Sequence, residues 1–262
     1  MTPEKILKAQ NVWNMAKYVY YHTEKKLMHH PVYKVGYKSF WHTLFGNKAW
    51  VELNHLATQD TTEPFVISNN WIIIAPLKNP DVYKTYLSET QRHIAFVRNP
   101  LQKVYSGLIE ESRLHMSSPY MRHRPLLHDF SDISVSKLLN MPDDVFADQY
   151  LFALLVSSHC TPQFYYVEDL QDTYIPMETE LYDLSTMSSV MAELFPEHEQ
   201  YAERALTIKN TTAGDPLKEV FQYKLEQALK KDQDLKGYLR SWVACDYERL
   251  LADPRVSHLA KD

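Results

Sequence analysis

Two short stretches carry the residue types that bind anions. Lys34-Val35-Gly36-Tyr37-Lys38-Ser39-Phe40 offers two cations, a hydroxyl and a glycine where an apolar stretch gives way to a helical pattern. A strand that turns sharply into a helix aims unpaired backbone N–H groups at whatever lies above the turn, and the helix end adds partial positive charge. Gly36 would let a ligand approach the backbone closely. Phe96-Val97-Arg98-Asn99-Pro100, followed by Ser106, is the second stretch. It sets an arginine at the end of an apolar strand, where a planar, bidentate grip on phosphate is useful. Ligands of open α/β sheets bind beyond the carboxyl ends of strands. Each stretch alone also fits an ordinary reading: exposed lysines on a plain turn, a salt bridge for Arg98, a helix-surface serine for Ser106. The first is not a Walker A loop, since Gly36 precedes Lys38-Ser39 by one residue and the earlier glycine of that motif is missing.

The elements that must position these residues follow from pattern. Helical spacing of Ile6, Val12, Trp13, Ala16, Val19 and Tyr20 predicts a helix over 3–28, stopped by His29-His30-Pro31. Pro31 to Lys34 is expected as a short strand, and Ser39 to Gly46 as a short helix. Phe65-Val66-Ile67 and Trp71 to Ala75 are β-branched and apolar, so at least one is a buried strand. Helices are predicted over Pro80–Glu89 and Pro100–Ser112, the second with proline in its first turn. Between them His93 to Val97 is a continuous apolar run, the mark of a strand covered on both faces. His115 to Asp143 is irregular and locally basic, as lids and binding loops often are. Beyond it a helix over Val145–Ser158, a strand over Gln163–Val167, a helix over Thr179–Phe195 and further helices to Leu251 are expected. Strands alternating with helices argue α/β architecture: one domain over 1–262, a central mainly parallel sheet flanked by helices over about 30–195, and a helical C-terminal part over about 196–252.

Composition bounds the rest. The chain has 262 residues, 45% hydrophobic content and a formal net charge of -5, which is not the balance of a general nucleic-acid binder. No run approaches the ~18 apolar residues of a membrane span, so no span is expected. Two cysteines, Cys160 and Cys245, cannot build a disulfide framework, and a reducing, cytoplasmic setting is the default.

Taken together, the two stretches resemble the nucleotide-binding motifs of sulfotransferases, with the carbohydrate and heparan branch as the nearest match. Val32 to Phe40 resembles the 5′-phosphosulfate loop. Phe96 to Ser106 resembles the 3′-phosphate motif, with Arg98, Pro100, Lys103 and Ser106 on its key positions. Cys160-Thr161-Pro162, Tyr165 to Leu170, Glu178 or Glu180 before Leu181, Asn210-Thr211-Thr212 and Trp242 to Tyr247 resemble later segments, so the likeness spans roughly residues 30 to 250. Tyr33 stands where the family usually has proline. Tyr37 and Lys38 replace small or hydroxyl residues, and Gln163 replaces a cysteine common in secreted-pathway members.

The resemblance implies a P-loop-like core and the donor 3′-phosphoadenosine 5′-phosphosulfate, released as adenosine 3′,5′-bisphosphate, with no metal. Lys34 would stabilise charge on the departing phosphate. Ser39 and the backbone of residues 35–40 (Val35, Gly36, Tyr37, Lys38, Ser39, Phe40) would hold the 5′-phosphate. Arg98 and Ser106 would hold the 3′-phosphate, and Thr211 and Thr212 would reach back to the nucleotide. The acceptor would be a carbohydrate or small-molecule hydroxyl. An acceptor hydroxyl usually needs a general base; of His115, His123, His128, Glu110 and Glu111, His115 is the chosen one. Arg113, Arg122 and Arg124 would contact an anionic acceptor. A nucleotide-dependent kinase with a modified phosphate loop and a non-catalytic nucleotide-binding relative are the alternatives.

Overall fold

The computed structural model describes residues 18–32, 34–36, 39–40, 65–66, 70–76, 79–117, 134–155, 157–164, 166–167, 172–173, 175–196 and 216–261. In chain order these form strands β1 (Val19–His22), β2 (Leu27–His29), β3 (Phe65–Val66) and β4 (Trp71–Ile74), helix α1 (Pro80–Glu89), strand β5 (Arg92–Val97), and helices α2 (Pro100–Ser117) and α3 (Val135–Asn140). Helix α4 (Asp143–Val145), a π-helical stretch (Phe146–Leu151) and α5 (Phe152–Leu155) follow. Strands β6 (Tyr166–Val167), β7 (Asp172–Thr173) and β8 (Glu180–Asp183) come next, then α6 (Met187–Leu194), α7 (Pro216–Lys231), α8 (Gln233–Trp242) and α9 (Ala244–Leu251). The chain divides into two compact units. One takes Asn14–Asn99, Gln163–Lys209 and Asp246–Asp262; the other takes Met1–Trp13, Pro100–Pro162 and Asn210–Cys245.

The first unit is built on a sheet ordered β3-β4-β1-β2-β5-β8 among the described residues. Strands β3, β4, β1 and β2 pair antiparallel in succession, while β2 pairs with β5 and β5 with β8 in parallel. The fold is therefore α/β, but its sheet is mixed rather than mainly parallel. The reason lies at the expected N-terminal helix. Residues 1–17 fall outside the described residues, and Val19 to His29 forms a β-hairpin. Thr23 to Lys26 make its turn, with Lys26 in the left-handed region at φ 47°. Val19, Tyr20, Tyr21, Leu27 and Met28 are all buried. A strand covered on both faces loses the alternation that identifies it, and its apolar residues then imitate helical spacing.

Alternate residues of these strands feed two cores. Tyr20, Leu27, Trp71, Ile73, Ile94, Phe96 and Leu181 pack with Met187, Val190, Met191 and Leu194 of α6. Val19, Tyr21, Met28, Ile72 and Ile74 pack with Tyr83, Val82, Tyr86 and Leu87 of α1. Each fully buried aliphatic or aromatic side chain contributes about 1.5–3 kcal/mol, so β5, with Ile94 and Phe96 at most 1% exposed, anchors the sheet. Helix α1 starts where proline predicts it. The side chain of Asn79 accepts from the Val82 N–H at 3.3 Å and caps the first turn.

Two further expectations need correction. Glu180 to Asp183, expected as the opening of a helix, is strand β8; the helix begins only at Met187, after a 3₁₀ turn over Leu184–Thr186. Arg92 explains the polar start of that strand. It forms a fork with both oxygens of Glu180, at 2.8 and 2.9 Å, and also donates to the Tyr182 hydroxyl at 2.8 Å. Pro31 and Val32 are irregular, and the strand expected over Pro31–Lys34 ends earlier, at His29.

The second unit is helical. Rings of Phe146, Tyr150 and Phe221 meet with centroids 5.6–6.1 Å apart. The Lys103 ammonium, 1% exposed, donates to the carbonyls of His159 and Thr161. Four and eight residues further along α2, Gly107 lies against the His159 carbonyl, and Glu111 bonds the His159 ring. This i, i+4, i+8 stripe seats the turn at Ser158–Cys160 on α2. Trp242 donates from its indole to the Cys160 carbonyl at 2.9 Å. Helix α2 runs five residues past its expected end, through His115 to Ser117, and the region expected to be irregular contains α3.

Candidate anion-binding site

Strands β2, β5 and β8 run parallel, so their carboxyl ends share one edge of the sheet. The Lys34 turn follows β2, Arg98 follows β5, and Asp183 ends β8. All of these residues belong to the sheet unit.

The turn is conformationally unusual. Lys34 and Gly36 both sit in the left-handed region, at φ 64° and 66°, a costly choice for a lysine. Between them the Val35 N–H donates to the Val32 carbonyl at 3.1 Å. The Gly36 carbonyl then accepts from the Phe40 N–H at 2.8 Å, which opens the helix. Phe40 is fully buried and stacks on the His29 ring at 3.8 Å. A side chain at Gly36 would meet Leu184 Cδ1 at 2.5 Å and Met187 Cε at 2.9 Å. The glycine is thus accounted for by its dihedral and by packing on the β8–α6 connection. The N–H groups of Val35 and Phe40 are spent inside the chain. That of Gly36 has no hydrogen-bond partner among the described residues.

Arg98 is held from behind. Its N–H donates to Gln163 Oε1 at 3.1 Å, and its carbonyl accepts from Gln163 Nε2 at 2.9 Å. Asp246, fully buried, accepts from the N–H groups of Gln163 and Phe164, each at 2.9 Å. The guanidinium is half-buried, and its Nη1 reaches the Lys34 carbonyl at 3.4 Å. Among the described residues no carboxylate forms an ion pair with Arg98. Burial pulls its pKa down, with the charge of Asp183 acting in the opposite direction. Asp183 itself is committed to His258 at 2.9 Å and to the Ser185 N–H at 2.8 Å. Lys34 and Arg98, 64 residues apart in sequence, are therefore neighbours at a partly desolvated, cationic edge.

The remaining sequence-predicted residues fall elsewhere. Tyr37, Lys38, Arg122, Arg124, Thr211 and Thr212 lie outside the described residues, as do His123 and His128. Ser39 is half-buried in the first helical turn. Ser106 is half-buried on α2, in the helical unit. The main chain of His115 is helical, on α2, and its side chain lies outside the described residues. Arg113 is paired with Glu110 one turn earlier, at 2.8 and 3.2 Å. Tyr150, near the position where the resemblance places a histidine in some relatives, is fully buried with its hydroxyl 2.9 Å from Ser112 Oγ, and burial pushes its pKa up.

Gln163, Asp246 and Asp183 escaped the sequence reading as residues of this edge. One signal existed for Asp246. Trp242, Asp246 and Leu250 recur at helical spacing and are all buried, so a carboxylate occupies a core position. A charge there implies a buried set of donors. Gln163 was visible only as a departure from the family's cysteine, and nothing in the sequence pointed to its bond with Asp246, 83 residues away. No protein-family model, curated protein or solved structure matches the chain, so the likeness to sulfotransferases rests on its residues alone.

Proposed function

We propose that the chain is a sulfotransferase that moves a sulfuryl group from 3′-phosphoadenosine 5′-phosphosulfate to a hydroxyl of a carbohydrate-like acceptor, in a reducing, cytoplasmic setting. The observation that carries this reading is Arg98, a half-buried guanidinium with no carboxylate ion pair among the described residues, set against the Lys34 turn. A partly desolvated cation that no carboxylate among the described residues ion-pairs is poised for an anionic ligand. The parallel β2–β5–β8 part of the sheet serves as the nucleotide-binding core, and the turn after β2 as its phosphate loop.

The donor supplies an activated sulfuryl group on a phosphate leaving group. Lys34 stabilises the charge that builds up on that phosphate. The Gly36 N–H and the Ser39 hydroxyl hold the 5′-phosphate, and the fork of Arg98 grips the 3′-phosphate. Ser106, Thr211 and Thr212 join this set through the resemblance. His115 as general base follows from its residue type, and Arg113, Arg122 and Arg124 as acceptor contacts follow from the basic charge of their segment.

Thermal unfolding with added nucleotides tests the reading. Adenosine 3′,5′-bisphosphate without magnesium is expected to raise the melting temperature as ligand concentration exceeds Kd. Stabilisation by magnesium-ATP alone would instead favour a kinase. Absence of any response would leave no nucleotide function at this edge. Labelled donor incubated with sugar pools then identifies the acceptor.

A further inference from the structure

Arg98 occupies a gap in the main-chain order. The parallel ladder between β5 and β8 ends at the pair Val97–Asp183, one residue before it. Pro100 begins α2 two residues later, and the residue before a proline is restricted to extended conformations. Among the described residues no paired strand fixes the peptide groups of Arg98.

Gln163 fills that place. Its carboxamide accepts from the Arg98 N–H and donates to the Arg98 carbonyl, at 3.1 and 2.9 Å, which is what a paired strand would do. A carboxamide can act this way only if its own backbone is fixed. Asp246 fixes it by taking the N–H of Gln163 on one carboxylate oxygen and the N–H of Phe164 on the other. Gln163 is 1% exposed and Asp246 fully buried, so water does not compete for these bonds. An accurately held side chain needs such support, because small displacements cost binding and rate steeply.

We propose that Gln163, locked by Asp246, is a positioning residue that aims Arg98 at the 3′-phosphate of the bound nucleotide. This rests on the nucleotide reading of the Lys34–Arg98 edge. Gln163 touches no ligand; it acts only through Arg98.

A double-mutant cycle on the full chain separates this from a merely structural role. Affinity for adenosine 3′,5′-bisphosphate is measured by calorimetry in the unaltered protein, Arg98→Ala, Gln163→Met and the double variant. Gln163→Met is expected to weaken binding about 10-fold or more, the usual scale for losing a supporting contact. In the Arg98→Ala background the same change is expected to cost less than about twofold, because the group it aims is gone. If Gln163→Met does not accumulate as folded protein, Asp246→Asn, which keeps the side-chain size, is carried through the same cycle. Equal losses in both backgrounds, or no loss from Gln163→Met, overturn the positioning role and leave the nucleotide reading standing. No binding by the unaltered protein overturns the nucleotide reading and this inference with it.

Discussion

Replacing Arg98 by alanine should separate binding from stability. The only hydrogen bond from its guanidinium to a described residue is to the Lys34 carbonyl at 3.4 Å. That length is beyond the usual range, so the bond stabilises the fold by roughly 0.5 kcal/mol or less. Burial disfavours the charged form, so removing the guanidinium also removes a desolvation cost. The Gln163 clamp holds main-chain atoms and survives the substitution. Stability in urea should change by less than about 1 kcal/mol. Binding should change more. Charge-assisted bonds to a phosphate contribute about 1.5–3 kcal/mol, which is about a 10- to 150-fold loss of affinity for adenosine 3′,5′-bisphosphate. Affinity for adenosine 5′-monophosphate should be unaffected. Arg98→Lys keeps the charge without the fork and should recover only part of the loss. Calorimetric titrations beside urea melts read both quantities. A loss of several kcal/mol in stability with an unchanged ratio of the two affinities would refute the reasoning and make Arg98 a structural residue.

Three further outcomes follow from the same geometry. Gly36→Ala forces a side chain into the left-handed region and against Leu184 and Met187; a destabilisation of about 1–2 kcal/mol is expected in urea melts, and none at all would mean the turn relaxes freely. Lys103→Met strips the buried carbonyls of His159 and Thr161 of their ammonium donor and should cost about 2 kcal/mol or more. The folded fraction should bind nucleotide as before, although the resemblance places Lys103 within the 3′-phosphate motif. His29 is fully buried among aromatic rings, its Nδ1 has no hydrogen-bond partner among the described residues, and desolvation lowers its pKa from 6.5 to about 3. The folded protein keeps this ring neutral where the unfolded chain protonates it, so its contribution is fully present above pH 6.5 and is lost as pH falls towards 3. His29→Phe should therefore flatten the stability profile between pH 6.5 and 5, removing about 2 kcal/mol of acid sensitivity; an unchanged profile would show that His29 is not the titrating group.

Legibility in the sequence followed the physics of each segment. Helix α1 was legible to the residue because Asn79-Pro80 combines a capping side chain with a fixed first dihedral. Strand β5 was legible because the five buried residues from His93 to Val97, covered on both faces, leave a continuous run. The same double coverage concealed β1 and β2, because Val19 and Tyr20 of β1 continue the helical spacing of the apolar residues before them. Strand β8 was concealed differently: Glu180, Tyr182 and Asp183 are half-buried by partners distant in the chain, Arg92 and His258. At the candidate site the anion-binding residue types were visible, and so was the likeness that linked Lys34 with Arg98. The clamp of Gln163 and Asp246 was not, because an amide and a carboxylate acquire meaning only from the main-chain groups that folding brings to them.

The central claim is that the edge holds two phosphate groups of one nucleotide, one at the Lys34 turn and one at Arg98. The most direct measurement is the ratio of affinities of the unaltered protein for adenosine 3′,5′-bisphosphate and adenosine 5′-monophosphate, by calorimetry at one ionic strength. A preference of about 10-fold or more for the bisphosphate, matching one charge-assisted grip on the second phosphate, is the predicted result. Equal affinity for the two nucleotides would contradict it.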